Sequence, residues 1–230
     1  MNMVANEQEV AATSAVAPVG PAFVHLRVHS EYSIVDGLVR IDDLVGAAAK
    51  DKQAALAVTD LANMFGMVKF YKAARGKGIK PVVGVDVWIT NDDNREKPSR
   101  LMLFAKNRMG YLQLCELLSQ AWLTNQYKGR AEIRTEWLAE LTAKTYALLP
   151  DDSPANGLIV LSGAHFGDVG QAIENGNPAL AEKNAEKWAK LFPGHFYIEI
   201  QRAGQANQET QVRHAVALAA KLGLPVVATH

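Results

Sequence analysis

Histidines and carboxylates in this sequence sit where short apolar runs stop, and that placement is the first hint of chemistry. Arg27-Val28-His29-Ser30 closes the first run, with Asp36-Gly37 in the loop after it. Thr59-Asp60 closes the second run and Asp86 lies inside the third. Gln201-Arg202 closes the sixth and His230 the last. Imidazoles and carboxylates brought from several strands to one rim are the ingredients of a metal or phosphate site. A plainer account competes with this, because an Asp at a strand-to-helix junction is often only a helix cap. Asp42 and Asp43 are read as caps. His29, Asp36 and Asp60 together are read as a functional site or what is left of one. The other histidines carry less. His195 follows Pro193-Gly194 at a strand start, His214 lies on a helix face and His165 sits in a loop, and none has a partner at helical metal-pair spacing. Cys115 falls within an apolar stripe with no histidine nearby and reads as a buried, inert thiol.

The elements that must position these groups follow from hydrophobic periodicity. Apolar, β-branched runs over residues 23–28, 55–59, 82–89, 101–105, 158–161, 196–200 and 226–228 predict seven strands. Helical stripes fill most gaps: Leu44, Ala47 and Ala48; then Phe65, Val68, Phe70, Tyr71 and Ala74; then Leu112, Leu114, Leu117, Leu118 and Trp122. Two more run through Leu180, Ala181, Trp188 and Leu191, stopped by Pro193, and through Val212, Ala215, Val216 and Ala219, stopped by Gly223. All five stripes are expected to face a core. Strands alternating with helices imply an α/β fold with a mostly parallel sheet, and seven such units favour a small closed or nearly closed barrel. Active sites of parallel barrels lie at the carboxyl ends of the strands, where the residues above are found. Residues 91–97 read as a hairpin-like connection, and 125–134 and 142–156 as longer surface loops. No glycine-rich dinucleotide fingerprint follows the first strand and no P-loop signature occurs.

Composition narrows the classes. The chain has 230 residues, of which 49% are hydrophobic and 21% charged, ordinary for a globular domain. Twenty-four Lys and Arg balance twenty-four Asp and Glu, which argues against a domain that grips nucleic acid by bulk charge. One cysteine excludes an internal disulfide framework and fits a reducing, cytoplasmic setting. No apolar run is long enough to span a membrane. Residues 1–20 lack any Lys or Arg and read as a disordered leader, leaving 21–230 as one domain. The closing Leu224-Pro225-Val226-Val227-Ala228-Thr229-His230 reads as a buried strand, so a piece of a longer polypeptide is expected.

Several motifs in a fixed order then resemble one family. They are His25-Leu26-Arg27-Val28-His29-Ser30-Glu31-Tyr32-Ser33 with Asp36-Gly37, Ala57-Val58-Thr59-Asp60 with Asn63-Met64-Phe65-Gly66, and Gly78-Ile79-Lys80-Pro81-Val82-Val83-Gly84. Later stretches agree: Phe104-Ala105-Lys106-Asn107 with Gly110-Tyr111, Leu161-Ser162-Gly163, and Gly223 to Thr229. The whole of 23–230 is similar to the polymerase and histidinol phosphatase (PHP) domain that opens the α subunit of bacterial DNA polymerase III.

That resemblance implies a distorted seven-stranded (β/α) barrel of the PHP type. It also implies a parent that extends DNA primers with magnesium-bound carboxylates outside this sequence, works with a proofreading exonuclease and other replicative subunits, and contacts DNA through the full-length protein. Active PHP domains hold metals and hydrolyse phosphoesters, some of them as 3′–5′ exonucleases. Carried over residue by residue, the ligand pattern is depleted. The opening His-x-His is Arg27-Val28-His29. The loop acid is kept as Asp36. The Thr-Asp-His-Gly motif is Thr59-Asp60-Leu61-Ala62. The third-strand glutamate is Asp86, a histidine before the fourth strand is Arg100, and the cysteine after Ser162-Gly163 is Ala164. The closing Asp-x-His would fall at or beyond His230. Only His29, Asp36 and Asp86 keep ligand chemistry, too few for a polynuclear site. The expectation is a cleft of Arg27, His29, Asp36, Asp60, Asp86 and Arg100 without metal, held by arginine–carboxylate pairs and open to phosphate or sulfate, on a domain that stabilises the polymerase and docks its exonuclease. The alternative is a working metal-dependent phosphoesterase, against which Arg27 and Leu61 count. The lysines and arginines Lys69, Lys72, Arg75, Lys77 and Lys80 read as a solvated helix face rather than a DNA grip.

Overall fold

The apolar runs do what their periodicity demands: they pair into one sheet and bury alternate side chains on its two faces. In the computed structural model, which describes residues 23–143, 157–204 and 207–230, the helices are α1 (Ile41–Lys50), α2 (Met67–Gly76), α3 (Arg108–Thr124), α4 (Thr135–Ala143), α5 (Asp168–Glu174), α6 (Pro178–Leu191) and α7 (Gln208–Leu222). The strands are β1 (Ala55–Val58), β2 (Lys80–Ile89), β3 (Ser99–Ala105), β4 (Gln126–Tyr127), β5 (Arg130–Ile133), β6 (Leu158–Leu161), β7 (Phe196–Gln201) and β8 (Val226–Thr229). They form a sheet in the order β4-β5-β2-β3-β6-β7-β8, with β1 against the first half of β2.

The sheet is mixed rather than mostly parallel, which corrects the expectation from sequence. β2–β3 and β3–β6 are antiparallel, while β1–β2, β2–β5, β6–β7 and β7–β8 are parallel. The cause is the polar link over 91–97. It is too short to carry a crossover helix, so it folds back as a hairpin and reverses β3. Two further readings change. The stretch over 125–134 is not a loop: β4 and β5 pair as a hairpin and β5 joins β2 through Ile89↔Ile133. Residues 23–28 run beside β1, with Ala57 N–H donating to the His25 carbonyl and Thr59 N–H to that of Val28. They are not a regular strand, because the Val28 N–H turns to the Thr59 hydroxyl at 2.9 Å instead of a carbonyl. The leader at 1–20 and most of 142–156 lie outside the described residues.

Alternation along the strands sorts the side chains into two environments. Val85, Val87, Leu101, Leu103, Val160 and Ile198 face outward, into a core closed by Leu114 and Leu117 of α3 and Trp188 of α6. Trp188 is fully buried, and its indole N–H donates to Asp168 at the start of α5. Leu56 and Val58 form a second core with Ile41, Val45, Phe70 and Ala74 of α1 and α2. Turned the other way, Ala57, Met102, Phe104 and Leu161 pack together, with Leu26, Val82, Tyr197 and Val227 against them. Since β1 and β8 both contribute to this last cluster, the sheet curls around it.

Helix ends follow local chemistry, with exceptions. Asn107 and Asn177 cap α3 and α6, accepting from the Gly110 and Leu180 N–H groups. Gly223 takes φ +64° to end α7. Asp42 and Asp43, read as caps, lie inside the first turn of α1 after Arg40 and make no cap bond; their charge favours the positive end of the helix dipole instead. Three members of the second stripe, Phe65, Val68 and Tyr71, are exposed rather than core, and so is one member of each other stripe: Ala47, Trp122, Leu180 and Val216. Cys115 is half-buried rather than buried.

Candidate functional site

The inward alternation changes character along each strand. On β2 it runs Val82, Gly84, Asp86 and Trp88; on the reversed β3 it runs Phe104, Met102 and Arg100; on β7 it passes from Tyr197 to Glu199, and on β8 from Val227 to Thr229. One end of the curled sheet is therefore apolar inside and the other is charged.

Arg27 sits at the centre of the charged end. Its guanidinium grips Glu199 with two parallel bonds of 2.9 Å, Nε to Oε1 and Nη2 to Oε2, and Nη1 donates to Asp86 Oδ2 at 2.5 Å. This fork-to-fork geometry is the strong form of an arginine–carboxylate pair. Asp86 and Glu199 have fully buried side chains. Burial pulls the Arg27 guanidinium towards neutrality, but the charges of Asp86 and Glu199 outweigh this and hold it more firmly protonated than a free arginine. The Thr229 hydroxyl adds a 2.6 Å bond to Glu199 Oε1 and so ties the end of β8 to the cluster.

Asp86 Oδ2 is shared. Arg100 Nη1 and His29 Nε2 both lie 3.3 Å from it, beside Arg27. Burial raises the Asp86 carboxyl, and the cations of Arg27, His29 and Arg100 more than reverse that, so its pKa is lowered. His29 Nδ1 faces Asp36 Oδ1 at 2.8 Å, and the Ser33 hydroxyl donates to the same oxygen. Burial lowers the His29 pKa, but Asp86 and Asp36 raise it above its ordinary value. Arg100 is clamped between Trp88, 4.2 Å from the ring centre, and Phe166 at 4.7 Å, stacking that suits a flat, weakly hydrated cation. Its nearest approach to Asp36 is 3.9 Å.

Asp60 does another job. Its two oxygens accept from the Ser30 N–H at 2.6 Å and the Ser30 hydroxyl at 2.9 Å, and burial raises its pKa. It pins the loop that carries His29 and Asp36, while the adjacent Leu61 N–H donates to the Ser33 hydroxyl. The structure thus brings Arg27, His29, Asp36, Asp86 and Arg100 into one network and leaves Asp60 beneath it. Arg202 lies outside, paired with Glu209 at 2.6 Å. His230 contacts the His25 ring at 6.4 Å. His195, at the apolar end, faces Lys106 Nζ at 2.8 Å.

Sequence reasoning missed Glu199, Thr229 and the two rings around Arg100. Glu199 had a signal, being the only charged residue in the run Phe196-Tyr197-Ile198-Glu199-Ile200, at an inward position where a lone carboxylate needs a partner.

The donor set does not fit a metal cluster. Arg27 fills the space between Asp86 and Glu199 that a cation would share, and three cationic side chains, counting protonated His29, face three carboxylates. Among the described residues no group of three or more His, Cys, Asp or Glu side chains is placed to hold a metal ion. Three cations favour the ionised form of Asp86 and two carboxylates bias His29 towards imidazolium, so neither of these two side chains is poised as a general base.

One end of a curled, mixed α/β sheet thus carries a rim of inward acids, histidine and arginines, with guanidinium groups at its centre. The chain belongs to the PHP domain family, whose match runs over residues 25–203. It is 47% identical over 209 residues to DNA polymerase III subunit alpha of Pseudomonas fluorescens, covering 91% of this chain and 17% of that protein. It is 45% identical over 212 residues to the same subunit of Neisseria meningitidis serogroup A and 40% identical over 210 residues to that of Escherichia coli K12, again over 91% of this chain. The likeness is to their N-terminal region, and the chain spans about a sixth of the length of these relatives. Among solved structures, an amidohydrolase from Chromobacterium violaceum, with bound sulfate and no metal, superposes with TM-score 0.53 at 15% identity, over 90% of this chain and 86% of that one. That likeness shows the fold. No helix among the described residues is long and apolar enough to cross a membrane.

Proposed function

We propose that this chain is the PHP domain of a DNA polymerase III α subunit, a cytoplasmic replicative polymerase whose magnesium-binding catalytic carboxylates lie elsewhere. In this reading the domain is a scaffold without its own hydrolytic chemistry. The observation that carries it is the Arg27 guanidinium, which bridges Asp86 and Glu199 where a catalytic relative would need an open metal position. The cations offer a fixed substitute for divalent ions. The second Arg27 carboxylate partner belongs to β7, so the same contacts that exclude metal also join the first segment to the far side of the sheet.

Residues 23–29 serve as the first stave of a distorted seven-stave barrel, closed between β1 and β8. The His25–His230 ring contact and the Arg27–Glu199 pair support this closure. The domain stabilises the polymerase and docks its proofreading exonuclease, and DNA is met through the full-length protein. In this reading a phosphate or sulfate in the cleft would bind at Arg100, whose Nε is buried without a partner, and would have to avoid Asp86 Oδ1, which is also buried and unpartnered.

One experiment tests the reading on two arms. The purified chain is dialysed against manganese and zinc, analysed for metal and assayed on a 3′-labelled oligonucleotide; in parallel it replaces the matching region of the Pseudomonas fluorescens subunit in a primer-extension assay. Substoichiometric metal, no hydrolysis and a chimera that extends primers are expected. Tightly bound metal with 3′–5′ hydrolysis would overturn the scaffold, and a chimera that folds but cannot extend primers would overturn the polymerase assignment.

A further inference from the structure

The apolar end of the curled sheet is open, and its mouth carries one sign of charge. A chamber of about 890 Å³ is floored by Leu26, Val82, Phe104, Ile159, Leu161 and Val227. Lys72, Lys80, Lys106 and Arg108 surround it, and among the described residues no carboxylate lines it. From Val82 at this end to Asp86 at the charged end is four residues of β2, about 13 Å at strand rise. The chamber and the charged cleft are therefore separate places, divided by Met102 and Gly84.

Apolar surface does not stop at the lip. It continues onto the outer face of α2, where Val68 and Tyr71 line the mouth and are 56% and 47% exposed. An apolar patch that runs from a cavity onto a helix, framed by charge, marks a protein-docking surface better than a small-molecule pocket, which would enclose most of its ligand. The composition of the complement follows from the lining. Bulky aliphatic or aromatic side chains satisfy the floor. Carboxylates flanking them meet four cations that share the chamber with no carboxylate among the described residues.

We infer that this mouth is a docking site for an acidic segment of a partner protein, one that inserts Leu- or Phe-type anchors into the chamber and lays Asp or Glu along Lys72, Lys80, Lys106 and Arg108. The inference rests on the scaffold reading in needing a partner, and goes beyond it by assigning the face and the chemistry.

The test is fluorescence anisotropy with the whole chain and a labelled synthetic peptide of Asp, Glu, Leu and Phe. Two control peptides replace the acids by Lys or the apolar residues by Gly, and dodecanoate and a thymidine oligonucleotide serve as competitors. The substitutions Lys72→Glu, Lys80→Glu and Val68→Asp fall at exposed positions, and circular dichroism checks that each variant is folded. The acidic apolar peptide is expected to bind, each control to bind at least about tenfold more weakly, and each variant to lose about tenfold. No binding, equal binding of the Lys peptide or indifference to the charge reversals would overturn the inference. So would full displacement by dodecanoate or by the oligonucleotide, which would assign the mouth to an amphiphile or a nucleic acid. These failures leave the cleft reading intact, because that reading is decided by metal content and hydrolysis.

Discussion

Arg27 shows how one side chain can organise two buried carboxylates brought together from different strands. A buried carboxylate pair is tolerable only with a counter-charge and hydrogen bonds in place, and Arg27 supplies both to Asp86 and Glu199. Arg27→Met removes the cation and leaves two buried anions, so the chain should lose about 3–5 kcal/mol of stability in urea unfolding. Arg27→Lys should recover part of that loss, since an ammonium keeps the charge but not the fork. His29 makes the cluster pH-dependent. Its folded pKa is raised above the unfolded 6.5, so its contribution is complete below that pH and fades as pH rises through the raised value. Asp86 behaves oppositely: its folded pKa is depressed, so its contribution is present above the unfolded 3.8 and fades as pH falls through the lower value. Thermal melts should therefore lose stability on the alkaline side, and His29→Gln should flatten that limb while leaving the acid limb in place.

At the scale of elements, contacts override propensity at the start of α3. Gly110 lies in the first turn of that helix, where alanine is intrinsically better by about 1 kcal/mol. A Cβ there would stand 1.8 Å from the Gly157 carbonyl oxygen, backbone that cannot step aside. Gly110→Ala should therefore destabilise the chain by about 1–3 kcal/mol or more, read as a lowered urea midpoint at unchanged slope. A stabilised variant would show that α3 and the segment before β6 are not packed as described. The hairpin of β4 and β5 teaches a related lesson. Its strands have two and four residues, too few for alternation to show, and it exists because Ile133 pairs with Ile89 and because Glu132 is buried between Arg95 and Arg130.

For the whole molecule, opposite ends of one curled sheet carry opposite chemistry, apolar at one and charged at the other, and strand alternation along the same strands produces both. Thr229 is the last link that joins β8 to the charged end. Thr229→Val removes its 2.6 Å bond to Glu199 and should cost about 1–2 kcal/mol, with near-ultraviolet circular dichroism and urea unfolding moving together because the cluster joins first and last segments. Formal charge balances over the whole chain and its isoelectric point is about 7.0. Solubility should accordingly be lowest near neutral pH and rise on either side, as sedimentation of concentrated samples would show.

The residues alone determined the α/β class, six of the strands and the main helices, because each of these is written in local pattern, whereas the loss of ligand types at Arg27, Leu61 and Arg100 is legible only against the pattern of the family that the chain resembles. Side-chain type excludes a ligand wherever the chain goes: no arrangement turns Leu61 into a metal donor. Tertiary structure decided the reversal of β3, the pairing of β5 with β2 and the partnership of Arg27 with Glu199, which is 172 positions away. Such contacts depend on which strands become neighbours, and a period of two within a strand does not encode its neighbour. The same reason kept the basic mouth hidden, since Lys72, Lys80, Lys106 and Arg108 ring one chamber only after α2, β2 and β3 have come together.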